Sequence, residues 1–158
     1  MNTKITLEVG EKDFMIEVRE LTTDEKRSLS DKIAVEQHKV DAFVSARSRL
    51  TDLTEEYETN KKLLFNAEMS LGDKVKMLWE QKELLLEIKK LRPDVEAKGK
   101  MPIAFESIAK EQFELTVSGS DKMSLMSELE KYGKTYREVL NIILPKVAEA
   151  KEKKSSSS

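Results

Sequence analysis

Apolar and polar residues alternate at the start of the chain. Ile5, Leu7 and Val9 are separated by Thr6 and Glu8, and after Gly10-Glu11-Lys12-Asp13 the alternation resumes with Phe14, Ile16 and Val18. Period two on both sides of a glycine-containing turn predicts a β-hairpin with one apolar and one charged face. An isolated hairpin is marginal in water, so that face needs a cover, and the helical segment that follows is the nearest one. Thr22 and Glu25 have the spacing of a capping box, in which each side chain satisfies the other's free backbone N–H, so a helix starts there. From Thr22 to Leu91 there is no proline and a single glycine, Gly72, while Leu29, Ile33, Val40, Phe43 and Val44 recur at helical spacing. Asp52 followed by Glu55 is a second cap signal. Because an unbroken helix of about 45 residues is rare, a break or bend is expected near Leu50 to Asp52.

Phe43, Leu50, Tyr57, Leu64 and Leu71 recur every seven residues, with polar companions at Arg47, Thr54, Lys61 and Glu68. This reads as a thin apolar seam on a solvated rod, short of a two-position coiled-coil repeat. Gly72-Asp73 marks a turn. The next segment carries Val75, Met77, Leu78, Trp79, Leu84, Leu85, Leu86, Ile88 and Leu91 around most of its circumference, which predicts a central helix with contacts on more than one side. Arg92-Pro93-Asp94 should end it, since the residue before proline is pushed out of the helical region. Phe113, Leu115 and Val117 alternate ahead of Ser118-Gly119, suggesting a third short strand. Met123, Met126 and Leu129, with Leu125 alongside, form the stripe of a helix that Gly133 stops. Thr135 and Glu138 repeat the capping-box spacing ahead of a last helix, which Pro145 should kink or end. The expected fold is mainly α with a small N-terminal β-hairpin, an α+β chain built from a long amphipathic helical hairpin, a short third strand and C-terminal helices. Residues 1–91 form the first domain, 92–102 a linker, 103–150 the strand and C-terminal helices, and 151–158 a charged, serine-rich, disordered tail.

Composition narrows the function classes. The chain has 158 residues, 37% charged and 39% hydrophobic, with 28 Lys plus Arg against 30 Asp plus Glu. A net charge of -2 gives no global attraction to nucleic acid or anionic membrane. There is no cysteine, which removes disulfides and thiolate chemistry. No apolar run approaches the roughly 20 residues of a membrane span, and the N-terminus lacks the pattern of a secretory signal, so a cytoplasmic location is expected. His38 is the only histidine and sits among Glu36, Gln37 and Lys39 on a predicted helix, where a solvated surface role outweighs a catalytic one. The five glycines are scattered singly, so no phosphate-binding loop can be formed. The carboxylates fall between lysines at helical spacing, the pattern of a solvated helix face. No enzyme, cofactor or metal site is therefore expected. Lys74 to Lys100 is locally basic, but Glu80, Glu83, Glu87, Asp94 and Glu96 interrupt it, which counts against a phosphate-tracking stripe. The remaining candidates are apolar helix faces. Phe43, Leu50, Tyr57 and Leu64, and Met123, Met126 and Leu129, are the expected partner-binding residues, with intramolecular core as the competing reading of each.

The opening Lys4-Ile5-Thr6-Leu7-Glu8-Val9-Gly10-Glu11-Lys12-Asp13-Phe14, with the helix start Leu21-Thr22-Thr23-Asp24-Glu25, resembles the N-terminus of tail assembly chaperones of long-tailed bacteriophages and Mu-like prophages. The resemblance covers roughly the first 35 residues and rests on a T-L-x-V-G-x-x-x-F hairpin followed by a helix. It implies a non-enzymatic helical protein of the host bacterial cytoplasm, which forms homo-oligomers and shields the tape-measure protein while tail-tube subunits polymerise around it. It also implies a second, extended product made by ribosomal frameshifting, for which Lys153-Lys154 would suit an A-rich slippery site. A structural or scaffolding subunit that stays in the assembly, and a nucleic-acid-binding regulator using Lys74 to Lys100, are the alternatives.

Overall fold

Residues 3–18 form the expected hairpin in the computed structural model, which describes residues 2–156. Strands β1 (Thr3–Val9) and β2 (Lys12–Val18) pair antiparallel, with Leu7 opposite Phe14 and Ile5 opposite Ile16. The two-residue connection places Gly10 at φ +65°, the left-handed region that glycine enters without a Cβ clash. A Cβ at Gly10 would also lie 2.7 Å from the ring of Tyr132. The remaining elements are α1 (Thr23–Leu64), α2 (Leu71–Gly99), α3 (Phe105–Thr116), β3 (Val117–Ser118), α4 (Lys122–Lys131) and α5 (Tyr136–Ser156). The mainly helical chain with a small N-terminal sheet matches the fold expected from the sequence.

The chain divides into two units, one drawn from Met1–Glu36 and Ala104–Ser158, the other from Gln37–Ile103. In the first, β3 adds to β2, giving the order β1-β2-β3. The cover of the hairpin's apolar face is not the helix that follows it. Ala109 and Phe113 of α3, Leu125 and Leu129 of α4, and Val139, Leu140 and Ile143 of α5 pack with Ile5, Leu7, Val9, Phe14, Ile16 and Val18 in one core. The third strand is shorter than its alternation suggested. Phe113 and Leu115 lie in α3, where Ile108, Ala109, Phe113 and Thr116 share the buried face at helical period, and only Val117 and Ser118 pair with β2.

Local chemistry fixes the helix ends. Glu25 N–H donates to Thr22 Oγ1 at 3.2 Å and Thr22 N–H to Glu25 Oε1 at 3.1 Å, the reciprocal capping box. Arg19 adds a bidentate pair to the same carboxylate, at 2.9 and 2.7 Å, which with the Thr22 bond holds the Glu25 carboxyl well below its ordinary value, to about 2. Thr135 and Glu138 form the same box ahead of α5, and Glu106 accepts from the Tyr136 and Arg137 N–H groups there. At the end of α4, Lys134 N–H reaches Leu129 O and Gly133 N–H reaches Glu130 O, a Schellman motif with Gly133 at φ +65°.

Four sequence expectations are corrected. Helix α1 has no break near Leu50 to Asp52. Nothing in the segment forces one, and the Thr51 and Thr54 hydroxyls bond back to the carbonyls of Arg47 and Leu50. Residues 92–102 are not a linker, because α2 runs through Pro93 to Gly99, keeping Val95 and Lys98 half-buried. The missing Pro93 N–H costs one helical bond, and continued packing outweighs it. Helix α5 likewise passes Pro145, where Val147 still packs on the core, and reaches Ser156. The expected disordered tail is therefore helical over 151–156, and Ser157 and Ser158 lie outside the described residues.

Candidate functional site

The second unit is a helical hairpin whose two arms meet along a single seam. On α1 the buried and half-buried positions are Phe43, Ala46, Leu50, Leu53, Tyr57, Asn60 and Leu64, spaced three and four residues apart. On α2 they are Lys74, Met77, Gln81, Leu84, Ile88, Leu91, Val95 and Lys98, with the same spacing. Both arms thus carry a complete two-position heptad, the pattern of a coiled-coil seam. The positions four residues after each apolar residue, Arg47, Thr54 and Lys61, do not carry the second row. It lies three residues on, at Ala46, Leu53 and Asn60, and a small and a polar residue among these masked it.

Named contacts fix the register. Gln81 Nε2 donates to the Tyr57 carbonyl at 2.9 Å, Arg49 pairs with Glu87 at 3.5 Å, and the Phe43 ring lies 3.1 Å from where a Cβ on Gly99 would be. Among the described residues, Gln81 Oε1 is buried without a hydrogen-bond partner. The arms are joined by 65–70, where Ser70 Oγ caps α2 by accepting from Asp73 N–H. The turn expected at Gly72-Asp73 is therefore displaced to 65–70, and Gly72 lies in the first turn of α2.

The seam consumes the residues expected to bind a partner. Phe43, Leu50, Tyr57 and Leu64 are half-buried between the two arms. In the first unit Leu129 is a core residue and Met126 packs on its edge, leaving Met123 exposed. Within the second unit most of the large apolar side chains that stay open are on α2, with Val44 and Leu63 open on α1. Leu71, Leu78 and Leu85 recur every seven residues beside the seam, and Val75, Trp79 and Leu86 extend them outward. Trp79 is 63% exposed, Leu71 79%, and Phe65 at the turn 82%. Leu71 to Leu86 spans about 22 Å of helix. Single exposed leucines are ordinary, but six large apolar side chains on one face of one helix form a contiguous patch of the kind that marks an interaction surface.

The sequence did contain that signal. The apolar residues of this segment surround the helix, and the excess over one seam is the second face; the heptad Leu71-Leu78-Leu85 is its mark. Lys82 lies within the stripe with its Nζ 5.3 Å from the centroid of the Trp79 ring.

Other features of the described residues carry less chemistry. His38 is exposed on α1. No group of three or more His, Cys, Asp or Glu among the described residues could hold a metal ion, and no helix there is long and apolar enough to cross a membrane. A cavity of about 390 Å³ in the first unit is lined by Val18, Leu21, Leu140, Ile143, Leu144 and Val147, with Arg19, Lys26 and Lys151 among its polar residues. Arg19 and Lys151 are engaged by Glu25 and Glu20. Comparison with protein families, characterised proteins and solved structures finds no match to this chain.

Proposed function

We propose that this chain is a non-catalytic binding protein of the phage tail assembly chaperone type, which holds a long helical tape-measure protein in the host cytoplasm while tail-tube subunits assemble around it. The observation that carries the reading is the open apolar face of α2, on which six large apolar side chains stay exposed. A helix-on-helix contact of about 22 Å is modest by itself, but a long partner offers many such sites. Several copies along one partner then shield it by multivalency, with no single tight contact required. The N-terminal hairpin and capped helix start supply the independent support of the resemblance.

The test is co-expression with a tape-measure protein of a long-tailed phage. The tape-measure protein should stay soluble and co-purify with this chain, and should be absent from the soluble fraction when Leu78→Glu and Leu85→Glu are introduced together. Tape-measure solubility that is the same with and without this chain would end the proposal. Finished particles that retain this chain would favour a structural subunit instead.

A further inference from the structure

The charges around the open face of α2 are sorted by sign. Asp73, Glu80, Glu87 and Asp94 recur every seven residues along one edge of the helix, and Glu87 there meets Arg49 of α1. The apolar face lies on the other side of the seam. Lys82 and Lys89 sit within it, Lys76 borders it away from α1, and Arg47 and Lys61 occupy the adjoining positions of α1, all exposed, while Lys90 lines a depression with Arg49, Leu53, Glu87, Leu91 and Asp94 on the acidic side. Glu83 is the one carboxylate along that border between residues 71 and 90. In a chain of net charge -2, the open apolar stripe thus has five cations within and beside it.

We infer that the α2 stripe is built to receive an amphipathic helix whose apolar ridge is flanked by Asp and Glu. The apolar residues supply most of the area removed from water, and the lysines on both sides select the partner and its orientation by charge complementarity. A second copy of this chain is a poor occupant, because self-docking brings the same cations onto both sides of one interface, where like charges at short range oppose contact. This inference rests on the reading of the α2 face as a docking surface and goes beyond it by naming the partner's chemistry.

Trp79, the only tryptophan of the chain, lies in the stripe and reports its burial directly. The probe is a synthetic helical peptide of about three heptads, with leucine on the ridge and glutamate on both flanks. Added to the full chain, it should shift the Trp79 emission to the blue in a saturable manner. The apparent affinity should fall at least tenfold between low and high salt, since exposed charge pairs are screened over about 10 Å at 0.1 M ionic strength. The same peptide with lysine flanks should bind at least tenfold more weakly. Leu78→Glu with Leu85→Glu should abolish the shift while circular dichroism shows the helix content unchanged. If those substitutions lower the helix content, Lys82→Glu with Lys89→Glu replaces them and should reverse the preference between the two peptides.

Equal binding of the two peptides would overturn the inference. So would a concentration-dependent dimer that buries Trp79 unaided and excludes both peptides, or a shift produced by anionic lipid vesicles and not by the acidic peptide. A chain that binds the acidic peptide but fails to keep the tape-measure protein soluble would remove the assembly role and leave this inference standing.

Discussion

Replacing Gln81 with leucine should make the helical hairpin more stable, although it deletes a hydrogen bond. Gln81 lies in the seam with Nε2 bonded to the Tyr57 carbonyl at 2.9 Å, while its Oε1 is buried with no partner among the described residues. A buried acceptor left unpaired costs about 1–3 kcal/mol, and a single hydrogen bond returns about 1 kcal/mol. The Tyr57 carbonyl lies inside α1 and keeps its helical donor when Gln81 is gone. Leucine has a similar volume and adds apolar contact with the opposite arm, so the net gain should be about 1–2 kcal/mol. The assay is native-state hydrogen exchange of the α2 amides, because a local gain need not move the melting of the other unit. Protection in the middle of α2 should rise about 5- to 30-fold. Gln81→Ala should lower it, by leaving a cavity in the seam. Unchanged or reduced protection in Gln81→Leu would refute the reasoning, because it would mean that the amide is fully satisfied or that the seam is not closed around it.

Other expectations follow from the first unit. The Glu25 carboxyl should titrate near pH 2 by NMR, because Arg19 and Thr22 favour its charged form. Its folded value lies below the ordinary 4.5, so its contribution is complete above that value and is lost as pH falls through about 2; Arg19→Gln should move the midpoint up towards 4.5. Gly10→Ala should cost about 1–2 kcal/mol from the left-handed backbone alone, read from thermal unfolding. The contact with Tyr132 should add to that loss, and a Tyr132→Ala background should remove the added part; an identical loss in both backgrounds would refute the contact. Leu129→Ala should destabilise by about 2–5 kcal/mol, whereas Met123→Ala should stay within about 0.5 kcal/mol, which urea titration of the two variants distinguishes.

Features governed by neighbours in the chain were legible in the sequence, and features governed by distant packing were not. The hairpin follows from strict alternation around Gly10, and both capping boxes follow from a three-residue spacing that needs nothing else. The stop after α4 follows from Gly133. The cover of the hairpin is not legible in the sequence, because Phe113, Leu125 and Ile143 reach it from about a hundred residues away, and periodicity carries no address. Pro93 and Pro145 misled for a related reason. Local preference argues for a stop, while Val95 and Val147 beyond them gain enough contact to continue the helix. At the candidate site, the predicted residues Phe43, Leu50, Tyr57 and Leu64 marked a real apolar row, but the second unit uses that row internally. The open face emerged only once the seam had been subtracted from the apolar residues of α2.

The strict seven-residue period of the seam makes the hairpin a ruler with interchangeable divisions. Facing divisions meet in pairs, as Tyr57 faces Gln81 and Arg49 faces Glu87. Excising residues 49–55 together with 82–88 would remove one division from each arm and leave every surviving pair in phase, shortening the arm by about 10 Å. Reach and grip can therefore be lengthened or trimmed by whole heptads, while the residues that fold the mixed sheet-and-helix unit remain untouched.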